Sequence, residues 1–502
     1  MELFDNLALG FSHAATLQNI GYCFIGCLLG TLIGVLPGIG AVATISMLLP
    51  FTYGVEPLGA LIMLAGIYYG AQYGGSTTAI LVNLPGETSS VVTMLDGHQM
   101  ARQGRAGVAL ATAAIGSFFA GCVGTFVLAA FATPLSEFAL SVGPADYFSL
   151  MVVGLVGAVV LTSDSLLKAL AMIVLGLLLG LVGSDVNSGA MRFTVGFTDL
   201  WEGIDLVVLA VGLFAASEIV ANLEESETRR DFTAKVTSLF PTREDFRRMV
   251  GPILRGSGLG VFAGILPGAG ASIASFMSYS VEKKVSKTPE IFGKGAIEGV
   301  AGPEAANNSA AQCAFIPTLT LGIPGGGAMA LLLGALTIHN IQPGPQLVTR
   351  NPDLFWGLIA SMWIGNLMLV ILNLPLIGIW VRLLRIPYRM LYPAILLFCC
   401  IGVYSVRDST FNVLLTALFG IAGYVFRKLD CPVAPLTLGF VLGPMLEEHF
   451  RRAMILSRGD FTVFLTRPIS AAFLALAAVL IALIAFSSFR GRRKEIFASD
   501  EG

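Results

Sequence analysis

The sequence predicts an all-α polytopic membrane protein built from two inverted-topology repeats, with re-entrant or broken helices meeting near the bilayer midplane. Three observations predict this. Charged residues make up 12% of the 502, half the ~25% of a soluble chain, and mean hydropathy is +0.80. The phrase "GVLPGIGA" at 34–41 returns as "GILPGAGA" at 264–271. The basic residues flanking the two copies are biased in opposite senses.

Apolar runs recur along the chain at 107–132, 145–162, 168–183, 205–221, 354–381, 390–406, 411–426 and 468–489. A span needs about 20 helical residues, so the shorter runs are expected to tilt or to pack on neighbours. They are helices because lipid-exposed backbone must satisfy its own hydrogen bonds. The start, "MELFDNLALGFSH", has no basic n-region and no small-residue cleavage site, so no removable signal peptide is expected. The seven cysteines form no CxxC pair and indicate neither a disulfide framework nor a metal site.

Charge gives the expected orientation. No Lys or Arg precedes Arg102, whereas 222–255 carries Arg229, Arg230, Lys235, Arg243, Arg247, Arg248 and Arg255. The positive-inside bias puts this loop in the cytoplasm. With it go 97–105, the loop with Arg382, Arg385 and Arg389, and the tail with Arg490, Arg492, Arg493 and Lys494. The N-terminal edge belongs outside. Stretch 447–467, with Arg451, Arg452, Arg458 and Arg467, resists: counting places it outside, so it reads as an interfacial helix or a miscounted span. The expected division is a first transmembrane repeat at 10–221, a cytoplasmic linker at 222–251, a second repeat at 252–489 and a cytoplasmic tail at 490–502.

Gly30, Gly34, Leu36, Pro37, Gly38, Gly40 and Ala41 match Gly260, Gly264, Leu266, Pro267, Gly268, Gly270 and Ala271. A small-residue polar patch follows each: "YYGAQYGGSTTAILVNLPGE" at 68–87 and "GPEAANNSAAQCAFIPTLTLGIPGG" at 302–326. Each closes on a second Pro-Gly break, Pro85-Gly86 and Pro324-Gly325. Like order with opposed charge bias is the pattern of an inverted repeat; duplication kept only for packing is the alternative. Segments 252–266 and 270–281 are each too short to cross and fit a hairpin turning at "LPGAG". Segment 57–95 is too long for one span and too interrupted for two.

Pro removes a donor and Gly admits unusual backbone. Irregular backbone at membrane depth survives only inside protein or beside a wet cavity. Helix N-termini suit a carboxylate, and unwound carbonyls suit Na+. The candidate substrate residues are therefore Gly38, Gly40, Ser76, Thr77, Asn83, Gly86, Glu87, Thr88, Gly268, Gly270, Asn307, Asn308, Ser309, Gly325, Gly326 and Gly327. Candidate Na+ ligands are Thr78, Asn83, Asn308 and Thr318. For each hydroxyl or amide the alternative is interhelical glue. Glu87 and Glu304 are functional candidates if they lie at membrane depth, and surface groups if they do not.

Other classes fade. No Lys-Ser or Lys-Thr follows the glycine phrases, so they are not phosphate loops. The four histidines, His13, His98, His339 and His449, contain no HExxH. The 222–255 loop mixes its basic residues with acids and reads as a solvated linker that can touch lipid headgroups, with no nucleic-acid patch.

Together, the paired phrases "GVLPGIGA" and "GILPGAGAS", with "YGGSTTAILVNLPGE" and "GPEAANNSAAQCAFIPTLTLGIPG", resemble the large membrane subunit of the tripartite tricarboxylate transporter family (TctA-like), from about residue 15 to 485. The resemblance implies a non-enzymatic bacterial inner-membrane importer of citrate-like di- and tricarboxylates, driven by an ion gradient, usually Na+, without ATP. It also implies a small membrane subunit (TctB-like) and a periplasmic solute-binding protein (TctC-like). No cofactor is expected beyond Na+ as coupling ion. The alternatives are a carrier acting alone or an intramembrane lipid-modifying enzyme; the second would need an acid or His cluster that the sequence does not display.

Overall fold

The computed structural model describes residues 2–36, 40–83, 86–162, 165–185, 188–224, 239–266, 270–383 and 408–482, with 393, 396, 397, 399–401, 403 and 404 between the last two stretches. Gly38, Gly268, residues 225–238 of the 222–251 linker and the whole 490–502 tail lie outside them.

Apart from one two-residue ladder, the elements of the described residues are helices. After α1 (Glu2–Ala14), the Thr16 hydroxyl accepts from the Asn19 N–H and starts α2 (Leu17–Val35). The "LPGIG" phrase ends α2, and α3 (Ala41–Leu48) follows. Pro57 opens α4 (Pro57–Val82), where its fixed φ and missing N–H cost nothing. Then come α5 (Val91–Met100) and α6 (Ala106–Ser141). The 57–95 segment is thus one 26-residue helix followed by a break. Its glycines do not interrupt it, because they serve close packing against α2.

Helices α7 (Pro144–Thr162) and α8 (Leu166–Gly180) precede a two-residue antiparallel ladder, β1 (Gly183–Ser184) with β2 (Met191–Arg192). Next are α9 (Leu206–Ala210), α10 (Ser217–Glu224), α11 (Arg243–Ile265) and α12 (Gly270–Val285). Helix α11 extends the segment expected at 252–266 back to Arg243. Thr242 and Asp245 form a capping box that starts the helix at Arg243. Its 23 residues extend about 34 Å, and residues 243–251 of the expected linker are helical, but α11 is not among the described helices apolar enough to cross a membrane. Hydropathy hid this because the first two turns are charged.

The rest comprises α13 (Glu298–Cys313), α14 (Phe315–Leu321), α15 (Gly327–Ile338), α16 (Gln346–Arg350), α17 (Pro352–Asn373) and α18 (Ile377–Leu383), then helices Thr410–Lys428, Val433–Leu456, Val463–Thr466 and Pro468–Ala482. Among the described residues, four helical stretches are long and apolar enough to cross a membrane: Leu17–Val35, Thr88–Glu137, Pro352–Asn373 and Thr410–Lys428.

Two compact units result. One combines Met1–Glu137 with Asp205–Val425, the other Phe138–Ile204 with Phe426–Gly502. In the second, Gly176 and Gly439 bring α8 against helix 433–456. This unit also explains the basic stretch 447–467. Arg451 pairs with Asp185 at 3.0 Å and Glu447 at 2.6 Å, and Arg467 pairs with the buried Asp146 at 2.7 Å. Arg451 and Arg467 are thus held by carboxylates of the same unit.

In the first unit, the Asp96 carboxylate is fully buried. One oxygen accepts from the N–H groups of Gly293, Gly295 and Ala296 at 2.8 Å each. The other accepts from Tyr279 Oη at 3.0 Å. Gly293 (φ 82) and Gly295 (φ 105) hold the left-handed conformations that aim these amides at one point. Close by in sequence, Arg105 pairs with Asp245 at 2.5 Å and Arg248 with Glu298 at 2.8 Å.

Candidate functional site

Two helix pairs carry the breaks, both within the first unit. Gly26, Gly30 and Gly34 line one face of α2, at the four-residue spacing that stacks positions on a helix. A Cβ on each would meet an α4 Cα: Met63 at 3.0 Å, Ile67 at 2.8 Å and Ala71 at 2.9 Å. Gly66, Gly70 and Gly74 of α4 press back on α2 at Cys27, Gly30 and Gly34. The second half repeats the device. Gly256, Gly260 and Gly264 of α11 abut Gly302, Ala306 and Ala310 of α13. Small residues at this spacing let backbones touch in a bilayer, where burial alone does not hold helices together. Gly30, Gly34, Gly260 and Gly264 are therefore packing residues that lead up to the breaks.

At the far end of each pair the chain turns in the same way. Helix α4 ends on Asn83 at φ 58, and α14 ends on Gly322 at φ 72. These are corresponding positions, each followed by Pro-Gly, and both take the left-handed cap that Gly and Asn tolerate best. Gly86 then passes between α2 and α4: a Cβ there would lie 2.5 Å from Gly75 Cα and would overlap the Gly34 carbonyl.

The breaks also meet across the halves, and they do so reciprocally. Thr88 and Ser272 share a hydroxyl hydrogen bond of 2.7 Å, and Ser275 Oγ donates to the Ser89 carbonyl at 2.9 Å. This joins the second break of the first half to α12. In return, Gly327 faces Val42, with 3.5 Å between Val42 Cγ2 and a Cβ on that glycine. That joins the second break of the second half to α3.

Helix N-termini differ in what they hold. At α3 the Ala41 N–H donates to Glu87 Oε1, so a carboxylate of the chain itself sits where the peptide dipoles favour an anion. Gly40 lies against that carboxylate, a Cβ on it falling 3.6 Å from Oε1. At α15 no side chain caps the helix, and a Cβ on Gly326 would meet nothing within 4 Å. Glu87→Ala is expected to lower stability by about 1 kcal/mol, the size of a lost N-cap. A fall in melting temperature in detergent reads it, and Glu87→Gln, which keeps an acceptor, should fall less.

Glu304 on α13 is fully buried. Its Oε2 accepts from Ser76 Oγ at 2.7 Å and from Ser117 Oγ at 3.4 Å, and its Oε1 accepts from Thr93 Oγ1. Asn308 Nδ2 donates to Ser117 Oγ at 2.6 Å. A small cavity beside the carboxylate, with about 10 Å³ of room for the centre of a water molecule, is lined by Tyr73, Ser76, Thr77, Leu110, Ala113, Ala114, Ser117, Glu304 and Asn373.

The other sequence candidates divide by what they touch. Thr78 donates to the Val35 carbonyl at 2.7 Å and Ser309 to the Ser257 carbonyl at 2.9 Å; both tie helix to helix. Thr318 donates to its own helix at Ala314 and accepts from Gly325 N–H at 3.4 Å. Asn307 is buried with neither amide atom partnered, and buried amides of that kind call for an occupant. Gly270 is left-handed at φ 59 with open space around it. Sequence reading missed Thr93 and Ser117, which hold Glu304, and Asp96, whose single charge inside "VVTMLDGHQM" was the signal that could have found it.

A family model described as "Tripartite tricarboxylate transporter TctA family" matches residues 20–438. A curated relative from Agrobacterium vitis, "Uncharacterized 52.8 kDa protein in TAR-I ttuC' 3'region", is 58% identical over 503 residues, covering 100% of each chain. A second, "Uncharacterized protein in TAR-II ttuC' 3'region" from the same organism, is 59% identical over 242 residues, 48% of this chain and 100% of its own. No solved structure matches. Broken helices gathered in one unit, in a polytopic chain with the family's match along most of its length, lead to one assignment: the chain belongs to the tripartite tricarboxylate transporter TctA family, the large membrane subunit of a tripartite transporter.

Proposed function

We propose that this subunit imports di- or tricarboxylates by alternating access, driven by an ion gradient, Na+ first, across the bacterial inner membrane. Its substrate arrives on a periplasmic binding protein, and a small membrane subunit completes the complex. The two halves act as inverted repeats that rock about their reciprocal contacts, as in other secondary carriers. The observation that carries this reading is the meeting of the breaks. Thr88 bonds Ser272, and Val42 is the neighbour a side chain on Gly327 would meet, so a motion at one break is expected to be felt by the other half. The uncapped N-terminus of α15, at Gly326 and Gly327, supplies N–H groups for a substrate carboxylate, beside Gly325, whose own N–H donates to Thr318. Neutral hydroxyls and amides nearby hold it without the strong pairing that would slow release.

The test is uptake of labelled citrate into liposomes holding the full membrane complex. Uptake is expected to need the binding protein outside and to fall at least tenfold when choline replaces Na+ with a proton ionophore present. Concentrative uptake that persists under those conditions would remove ion coupling. Full uptake without the binding protein would favour a carrier acting alone.

A further inference from the structure

We infer that Glu304 is a reversible proton-binding site, and that its proton belongs to the transport cycle. The second half of this statement rests on the carrier function proposed above. The first rests on geometry alone. A carboxylate taken fully out of water without a cation costs several kcal/mol, and Glu304 has no ion-pair partner among the described residues. Its partners are three neutral hydroxyls. Neighbouring charges are engaged elsewhere: Asp96 of α5 with the 293–296 amides and Tyr279, Glu282 of α12 with Arg255 of α11, and Arg248 of α11 with Glu298 of α13 itself. Glu87, on the α4–α5 connection, takes the Ala41 N–H, and His98 of α5 sits against the Ile80 carbonyl. Tyr73 of α4 is the titratable side chain that shares the cavity with Glu304.

The hydrogen bonds fit both protonation states. Ser76 has one hydroxyl hydrogen and two acceptors in reach, Glu304 Oε2 at 2.7 Å and the Gln72 carbonyl at 3.0 Å. With Glu304 ionised, Ser76, Thr93 and Ser117 all donate to it, and Asn308 supplies the hydrogen that Ser117 accepts. With Glu304 protonated, its new O–H donates to Ser76 Oγ, and the Ser76 hydrogen turns to Gln72. Hydroxyls serve as donor or acceptor by rotation alone, so no heavy atom need move. Glue between helices requires one such state; a proton carrier requires two.

A proton also needs a route. The cavity beside the carboxylate has room for about one water. The Tyr73 hydroxyl and Asn373 Oδ1, both buried and without a protein partner, line it. Glu304 further bridges Ser76 on α4 and Thr93 on α5, the helices on either side of the 83–87 break. It therefore ties together the two sides of a break in the proposed substrate path.

Infrared titration of the purified full chain in nanodiscs tests this. The wild type should show the carbonyl stretch of a protonated carboxyl that disappears as pH is raised from about 5 to 9, and Glu304→Gln should lack it. Choline in place of Na+ should leave the titration unchanged. A Glu304 band absent or constant throughout, or one displaced by Na+, overturns the inference, the last result marking a sodium site. Citrate counterflow in liposomes reports separately on the carrier. A titrating band without counterflow keeps the proton site and loses the function it serves, while counterflow without the band loses the proton site alone.

Discussion

Gly86→Val leaves no folded protein. A side chain there is driven into backbone on two sides, the Gly34 carbonyl of α2 and the Gly75 Cα of α4, the latter only 2.5 Å from where the new Cβ must stand. Backbone cannot rotate away as a side chain does, so the cost exceeds the ~1–3 kcal/mol of ordinary overpacking. Because α2 and α4 are already in glycine contact along three turns, separating them to admit valine undoes the whole pair. Monodisperse yield in detergent should drop to background. Gly326→Ala is the matched control at the corresponding end of the other half. Its φ of 171 is extended backbone open to any residue, and nothing lies within 4 Å of a Cβ. It should fold normally, so any loss of uptake there reports on the site and not on packing. Normal yield from Gly86→Val would show that α2 and α4 are not held as described.

Asp96→Ala is the second large effect. It strips the acceptor from three backbone N–H groups and from Tyr279. Each buried donor left unpaired costs about 1–3 kcal/mol, and the loss is at least ~3 kcal/mol in total, a large share of a typical ~5–15 kcal/mol. Left-handed Gly293 and Gly295 lose the anion that their conformation serves. Asp96→Asn keeps an oxygen for the amides and should retain most of the stability if that oxygen faces them. The measurement is a thermal melt in detergent for both variants. Equal, small shifts would mean that the 291–297 loop is held by something else.

Composition and periodicity determined much of this protein by themselves. A chain with 12% charge cannot hide its apolar runs in a soluble core, and runs of that length satisfy their backbone in lipid as helices. The twin glycine phrases located the breaks, because Pro-Gly acts on local backbone wherever it occurs. They also carried the likeness to the TctA family. What failed were inferences in which a charge was counted without its partner. The start of α11 lay in a charged stretch that hydropathy discards, although Thr242 and Asp245 spelled a cap. The partners of the arginines at 451 and 467 were out of reach, because Asp185 and Asp146 both lie more than 250 residues away in sequence. Local sequence says which residues can break a helix, hold a proton or carry charge. Only tertiary structure decided that Ser76, Thr93 and Ser117 converge on Glu304, because hydrogen bonds between α4, α5, α6 and α13 depend on how close those helices come, and no local segment encodes that distance.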